Sequence, residues 1–511
     1  MPIAGRIHRR RPVEGAGPRK LDLRLQVKNF GPVFEGDIQL KPLTVFVGPN
    51  NSGKSYIAML VHSIFEAHPM GREAKYAGSG TFGMLQIIED SSQQYRDLLQ
   101  RIKSLKAGEA LELDSQTLDH LIRDFFSKIY EKRLSDEIAR AYACTVDKLV
   151  SLGRRNFEIK LHTNSRMLSL KSIHTDIKAE LPDVIVGPTL LVKCVDRGGY
   201  VAQSRGIGQQ LLVEVNKPFL ESETSRPVLT QIIFHDLLET CCSEIFSNLS
   251  LACYYLPAAR SGILQGHKVL TASMWRQLPL IGIKQMDIPT FSGVVSEFVS
   301  RIISLPDEPG PFFKLAQEFE NELIRGEISI KTLDKARYPD IVYKFRDLEI
   351  PLHRTSSSVS ELAPLFLYLK YILEPGDVLI IEEPEAHLHP ANQAIIARFL
   401  TKLIRNGLNI IITTHSDFLI QQLNTFILLG EKKKRPASLE KSGENEFLSH
   451  DEVAAVVFDY NPRKDAYKVR SLEVGPEEGI SQEQFMNVHE ALYEESFRIK
   501  REIFSENDSS C

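Results

Sequence analysis

The chain lacks the features that would mark several protein classes outright. Its six cysteines, Cys144, Cys194, Cys241, Cys242, Cys253 and Cys511, never fall in a C-x-x-C spacing. That scatter argues against a zinc module and against a disulfide framework, and it fits a reducing cytoplasm. No apolar run reaches the ~18 residues of a membrane-spanning helix, so no span is expected. Positive charge is not in excess: 62 Lys and Arg face 66 Asp and Glu, for a net charge of −4. Bulk charge therefore gives no argument for nucleic acid, and any DNA contact would need a local basic surface. No internal repeat and no long heptad run occurs, so an extended coiled coil is not expected. The opening "MPIAGRIHRRRPVEGAGPRK" is charged with no apolar core behind it, and is not read as a secretory signal. Residues 1–20 read as a flexible basic tail.

What is present is an ordinary globular composition, 43% hydrophobic and 25% charged over 511 residues. That length has room for about two or three domains. Residues 21–47 read as three strands: "LDLRLQV" alternates, "NFGP" turns, "VFEGDIQL" alternates again, and Leu43 to Val47 is a short apolar run. Directly behind it stands "GPNNSGKS", which fits the phosphate-cradling pattern G-x-x-x-x-G-K-[ST]. Ile57, Leu60, Val61 and Ile64 then recur at helical spacing. Strand, glycine loop and helix form the context in which this motif binds phosphate. Gly48 and Gly53 let the backbone turn and point N–H groups at an anion, and the helix dipole adds to the attraction. Asn50, Asn51, Ser52 and Tyr56 complete the candidate nucleotide-binding set. Lys54 belongs on the β- and γ-phosphates and the Ser55 hydroxyl on Mg²⁺, so the expected cofactors are ATP and Mg²⁺.

Residues 66–153 read as largely helical. "NFEIKLHT" alternates with Phe157, Ile159 and Leu161 on one face, and short strands such as "LLVKCV" and "QLLVEV" follow to about residue 215. Helical spacing resumes in "LTQIIFHDLLETCCSEIFSNLS". A second chemical centre lies far downstream. In "DVLIIEEPEAHLHPANQ" a wholly apolar strand, Val378 to Ile381, ends in Glu382 and Glu383. Open α/β sheets hold ligands at the carboxyl ends of such strands. There the first acid suits Mg²⁺ and the second suits the orientation or deprotonation of a water. "LNIIITTHSDFLI" is another apolar strand and ends at His415, a candidate γ-phosphate sensor.

Taken in order, "VKNFGPV", "GPNNSGKS", "YYLPAARSG", "VLIIEEPEAHLHP" and "TTHS" resemble the ABC-type ATPases of the RecF/SMC/OLD class, and most of all the single-chain ATPases of its OLD-like branch. The resemblance spans roughly residues 21–65 and 250–430. It implies an α/β fold with a split ABC-type P-loop core, a mixed sheet flanked by helices and interrupted by a helical-plus-β insertion. The domains expected are a tail at 1–20, core at 21–65, an insertion at 66–250, core again at 251–430, and a hairpin and helix at 431–511.

The resemblance also assigns roles. Glu382 becomes the metal-side acid, Glu383 the catalytic glutamate, Glu385 to Pro390 the D-loop and His415 the switch histidine. "RTSSSVSELAPLFLYLKYIL" stands where the family has its signature helix, without the usual glycine. Ser356, Ser357 and Ser358 could offer hydroxyls and helix N-terminal amides to the nucleotide of a partner subunit, or could serve only as a helix cap. Arg260 is a candidate phosphate clamp, with a structural salt bridge as the other reading. Gln86, Gln93 and Gln94 are candidates for the family's Q-loop glutamine.

The resemblance implies a homodimer or larger homo-oligomer. Behind His415 stand a charged loop, "GEKKKRPASLEKSGENE", a hairpin in "VAAVVFDYNPRKDAYKVRSLEV", and a helix from a capping box at Ser481 and Gln484. No D-x-D follows a buried strand there, so a nuclease in the same chain is not expected. Two function classes remain: an ATP-gated scaffold for a protein effector, as in anti-phage defence, or a DNA-handling repair ATPase. The acidic net charge favours the first.

Overall fold

In the computed structural model the described residues are 18–68, 93–106, 108–113, 130–163, 166–180, 189–194, 200–205, 248–249, 251–266, 291–331, 340–433, 446–483 and 492–500, with residues 116, 119 and 123. The basic tail up to residue 17, Gln86, Gln484 and the segments "QLLVEV" and most of "LTQIIFHDLLETCCSEIFSNLS" lie outside them.

The fold is α/β, with one large mixed sheet flanked by helices. Its strands are β1 (Leu23–Phe30), β2 (Val33–Leu40), β3 (Leu43–Val47), β4 (Glu158–Thr163), β5 (Arg166–Ile173), β6 (Asp176–Glu180), β7 (Cys253–Leu256), β8 (Val378–Glu382), β9 (Asn409–Thr414), β10 (Val453–Asn461) and β11 (Ala466–Leu472). The helices are α1 (Lys54–Glu66), α2 (Gln93–Ser104), α3 (Glu131–Tyr142), α4 (Gly293–Ile303), α5 (Phe313–Leu323), α6 (Ser357–Tyr371), α7 (Pro390–Arg405) and α8 (Asp417–Lys433). Spatial order in the sheet is β7-β8-β9-β3-β10-β11-β2-β1-β4-β5-β6. The first five are parallel to one another. Beyond β10 the pairings are antiparallel except for β11 with β2.

The strand chemistry explains the layering. β3, β8 and β9 are apolar on both faces and buried along their whole length, as parallel strands covered on both sides must be. Alternate residues of β3 enter opposite cores. Phe46 joins a core with Ile57, Leu60 and Ile64 of α1 and Leu134 and Ile138 of α3. Leu43, Val45 and Val47 join the other core, with side chains of α4, α5, α6, α7 and α8. Smaller three-stranded sheets at 110–113/189–194/200–205 and 327–331/340–345/348–351 lie outside the large one. Among the described residues no helix is long and apolar enough to cross a membrane.

Two placements differ from the sequence reading. Residues 158–180, assigned to the insertion, extend the core sheet, because β1 offers its second edge to β4 in register from Arg24 against His162 to Lys28 against Glu158. The helical stretch expected over 66–153 also contains a strand at Ala110–Leu113. The C-terminal hairpin is present as β10 and β11, and β10 inserts beside β3 as its parallel neighbour. The Phe458 ring of that hairpin meets the Phe46 ring at a tilt, with centroids 5.8 Å apart, and the residue lies against the phosphate loop. Phe458→Ala should cost about 3–5 kcal/mol of stability, the usual result of emptying a buried phenylalanine site. It should also weaken nucleotide binding. Thermal melts with and without ATP are the check, and an unchanged melting temperature would refute the packing role.

Candidate functional site

Three strand ends meet at one edge of the sheet. Glu382, the last residue of β8, pairs with Thr413 of β9, and Thr414 pairs with Val47, the last residue of β3. The phosphate loop, the two acids and His415 therefore emerge side by side, although Lys54 and Glu382 are far apart in sequence.

The loop is shaped by two glycines. Gly53 has a φ of 96°, and a Cβ there would stand 2.8 Å from Pro32 Cγ. A Cβ on Gly48 would stand 3.0 Å from Phe458 Cβ. Neither position accepts a side chain without displacement. α1 begins at Lys54 with Gly53 as its cap and no side-chain cap bond, so its first amides are left for an anion. Asn50, Asn51, Ser55 and Tyr56 are exposed around this mouth, while Ser52 and Lys54 are buried. Lys54 Nζ donates to the loop's own carbonyls, Gly48 O at 2.9 Å and Pro49 O at 2.7 Å. Burial pushes its pKa down to about 8, against the pull of Glu383, Glu382 and Glu385. A desolvated ammonium held on the loop's own carbonyls, beside an uncapped helix start, suits a polyphosphate. The Ser55 hydroxyl and a fixed carboxylate suit its Mg²⁺.

Glu382 is buried and oriented. Its carboxylate accepts the Tyr255 hydroxyl on one oxygen and Ala258 N at 2.9 Å on the other. Glu383 is turned the other way. Its φ is 44°, a left-handed conformation that costs a non-glycine residue about 1–2 kcal/mol. The strain is held by its amide, which donates to Thr413 O at 3.0 Å. The turn brings the half-exposed Glu383 carboxylate to 3.6 Å from His415 Nε2. His415 has its pKa lowered by burial and then by Lys54, with Glu383 and a Gly48 backbone hydrogen bond acting against the shift. It is thus a neutral imidazole near neutral pH, able to donate one N–H without adding charge.

Glu385 is expected only as the first residue of the D-loop segment, with no role of its own, yet it orders this edge. Its Oε1 accepts the Thr414 hydroxyl at 2.5 Å and His415 N at 3.0 Å. Burial raises its pKa. The available signal was a third acid, one proline beyond the pair. Tyr255 carried no signal beyond its place in an apolar strand.

Arg260 is placed elsewhere than the phosphate clamp requires. It is 2% exposed and its donors are committed inside the protein. Nε donates to Glu361 O at 3.0 Å, Nη1 to Glu382 O at 2.8 Å and Nη2 to Glu383 O at 3.4 Å. Nε also pairs with the Glu361 carboxylate at 3.3 Å. The guanidinium is a buried brace that ties α6 to the turn after β8, which is the structural salt bridge of the two sequence readings. At the start of α6, Ser356 caps the helix itself by accepting from Val359 N at 3.4 Å. Ser358 donates to His387 O at 2.9 Å, and Ser357 stands exposed at the first helical position. Within one chain Ser358 ties the start of α6 to the segment 385–390. Gln93 and Gln94 lie on α2, where Gln93 bonds Arg96 and Asp97.

The profile of one family, described as the AAA ATPase domain, matches residues 23–176 and 267–420. No curated protein matches the chain. Among solved structures it is similar to an Smc head bound to the C-winged helix domain of ScpA, at 12% identity and TM-score 0.38, covering 89% of this chain and 98% of that one. It is similar to a Pyrococcus furiosus Smc head with an extended coiled coil bound to the C-terminal domain of ScpA, at 12% identity and TM-score 0.36, covering 93% and 100%. A Thermotoga maritima SMC head domain follows at 12% identity and TM-score 0.31, covering 89% and 100%.

Two outcomes are expected at this site. ATP affinity should fall as pH rises through about 8, where free Lys54 loses its proton and binding must take one up. Below that pH the ammonium is already charged and affinity should level off. Lys54→Arg should flatten the profile, and Lys54→Ala should abolish binding at every pH. Equilibrium binding of labelled ATP from pH 7 to 9 tests this, and a flat wild-type profile counts against it. Arg260→Gln should lower turnover by about tenfold or more while ATP affinity is kept, because the brace positions the acids and meets no phosphate. A selective loss of affinity would restore the clamp reading.

Proposed function

Since the chain belongs to the AAA ATPase domain family, we propose that it binds Mg²⁺-ATP at the edge formed by β3, β8 and β9 and hydrolyses it there. The observation that carries this is the convergence of Lys54, Glu382, Glu383 and His415 on a single parallel sheet edge. In this reading the amides of Gly48 to Ser55 and the Lys54 ammonium bind the β- and γ-phosphates. Ser55 and Glu382 hold Mg²⁺, which when bound neutralises charge between the two phosphates. Glu383 orients the attacking water and accepts its proton, and His415 donates to the γ-phosphate.

Ser357, Ser358 and the exposed start of α6 lie over the nucleotide of a second copy in this proposal. ATP then stabilises a homodimer or larger homo-oligomer. The Arg260 brace runs from α6 to the carbonyls of both acids, so dimer closure and the geometry of the water-activating residue change together. Such a device suits an ATP-gated scaffold that holds or releases a protein effector, the logic of an anti-phage defence module of the OLD-like kind. The net charge of −4 supports a protein partner over direct handling of DNA.

The experiment separates binding from turnover. Glu383→Gln keeps size and one acceptor but loses the basicity, so hydrolysis should fall by about 10²–10⁴-fold. ATP affinity should stay near wild type and the ATP-bound dimer should accumulate, as read by mass measurement in solution. Glu382→Gln should weaken Mg²⁺ dependence as well. Near-normal turnover in Glu383→Gln would move the water-positioning role to another residue, and a monomer with ATP bound would remove the dimer. DNA-stimulated hydrolysis would favour the DNA-handling alternative.

A further inference from the structure

Two turns along α1 from the phosphate loop, three ligand-type side chains converge from two helices. His62 and Glu66 are one helical turn apart on α1, so they share a face. Glu297 reaches them from α4. One donor atom from each lies within 4.8 Å of the other two. His62 is fully buried, and neither of its ring nitrogens has a hydrogen-bond partner. Its Nε2 faces the Glu297 carboxylate at 3.7 Å, beyond hydrogen-bonding reach. An unsatisfied buried polar group is costly, and native interiors rarely leave one without a reason.

The neighbours do not supply the missing partner. Glu297 receives Arg140 Nη2 at 3.0 Å and Arg301 Nη2 at 2.7 Å. The imidazole is left as the group with spare capacity, aimed at two carboxylates. Burial lowers its pKa, which keeps it neutral and leaves a ring lone pair free.

We propose that His62, Glu66 and Glu297 bind a divalent transition-metal cation of the Zn²⁺ class, at a site separate from the one for the Mg²⁺ of ATP. One imidazole with two carboxylates is a donor set that zinc accepts, and the fourth position is open to water. Tetrahedral bonds of ~2.1 Å place ligand atoms roughly 3.4 Å apart. The partly exposed glutamates can close that distance by side-chain rotation, and their exposure gives the ion an entry path. A carboxylate has about four lone-pair sites, so Glu297 can keep both guanidiniums and still ligate. Those two cations also weaken the site, which makes the ion exchangeable rather than a condition of folding. Bound, it fastens α1 to α4. The His62 ring meets Tyr255 edge-on at 5.5 Å, and the Tyr255 hydroxyl holds Glu382, so the ion stiffens the back of the nucleotide site.

The test uses the full chain, stripped by chelator and free of nucleotide, titrated with Zn²⁺ by calorimetry and with Co²⁺ by visible absorption. One ion per chain is expected, with tetrahedral-type Co²⁺ bands. His62→Phe and Glu66→Gln should each weaken binding by about tenfold or more, with melting temperatures in chelator close to wild type. Glu382→Gln should bind as wild type. If His62→Phe does not fold, Glu66→Gln decides. Absence of a stoichiometric ion, binding indifferent to both variants, or loss of binding in Glu382→Gln would each overturn the assignment. ATP binding by Lys54→Ala is a separate measurement, so this site and the nucleotide site fail independently.

Discussion

The in-register parallel pairing of Val378–Glu382, Asn409–Thr414 and Leu43–Val47 is the constraint on which the rest of the site depends. A shift of one residue would exchange the faces of a strand and move its final side chain by one rise, about 3.3 Å. Burial on both sides forbids that shift, because every residue of the three strands is apolar or satisfied inside the sheet. The acids, the histidine and the phosphate loop are held at matched heights by packing that never touches a ligand.

On that edge, electrostatics and strain are balanced against each other. Lys54 is desolvated among three glutamates, and burial outweighs their attraction. Glu383 occupies a left-handed conformation that lifts its carboxylate out of the strand line toward His415. The conformation is sustained by Thr413 on the amide side and by Arg260 on the carbonyl side. Arg260 also meets Glu361 of α6, whose other carboxylate oxygen accepts Ser261 Oγ at 2.8 Å. One buried guanidinium thus ties the helix expected to face a second subunit to the backbone of both strand-end acids. Removing either member of a buried pair leaves an uncompensated charge, so the brace is sensitive to single changes.

The small-to-large logic of the glycines belongs to the same balance. Phe458 and Pro32 crowd Gly48 and Gly53 from two elements outside the loop. The loop is therefore clamped by the C-terminal hairpin and by the turn between β1 and β2, which lie in distant parts of the sequence.

Local signals in the sequence determined the elements that carry chemistry. An apolar run, a glycine loop and a helical spacing specify β3, the phosphate loop and α1, because each depends on residues within about ten positions. The apolar strands ending in Glu382 and His415 were legible for the same reason, as was the alternation of Phe157, Ile159 and Leu161. Tertiary structure alone decided the rest. β4 to β6 join the core sheet because β1 has an open edge, and β10 lies beside β3 because its apolar faces fit both cores. Arg260 became a brace because carbonyls and Glu361 surround it before any phosphate can. Glu385 and Tyr255 gained their roles from partners 29 and 127 residues away. Propensity and periodicity report what a segment can form, while pairing order and side-chain partners depend on distant segments that no local pattern encodes.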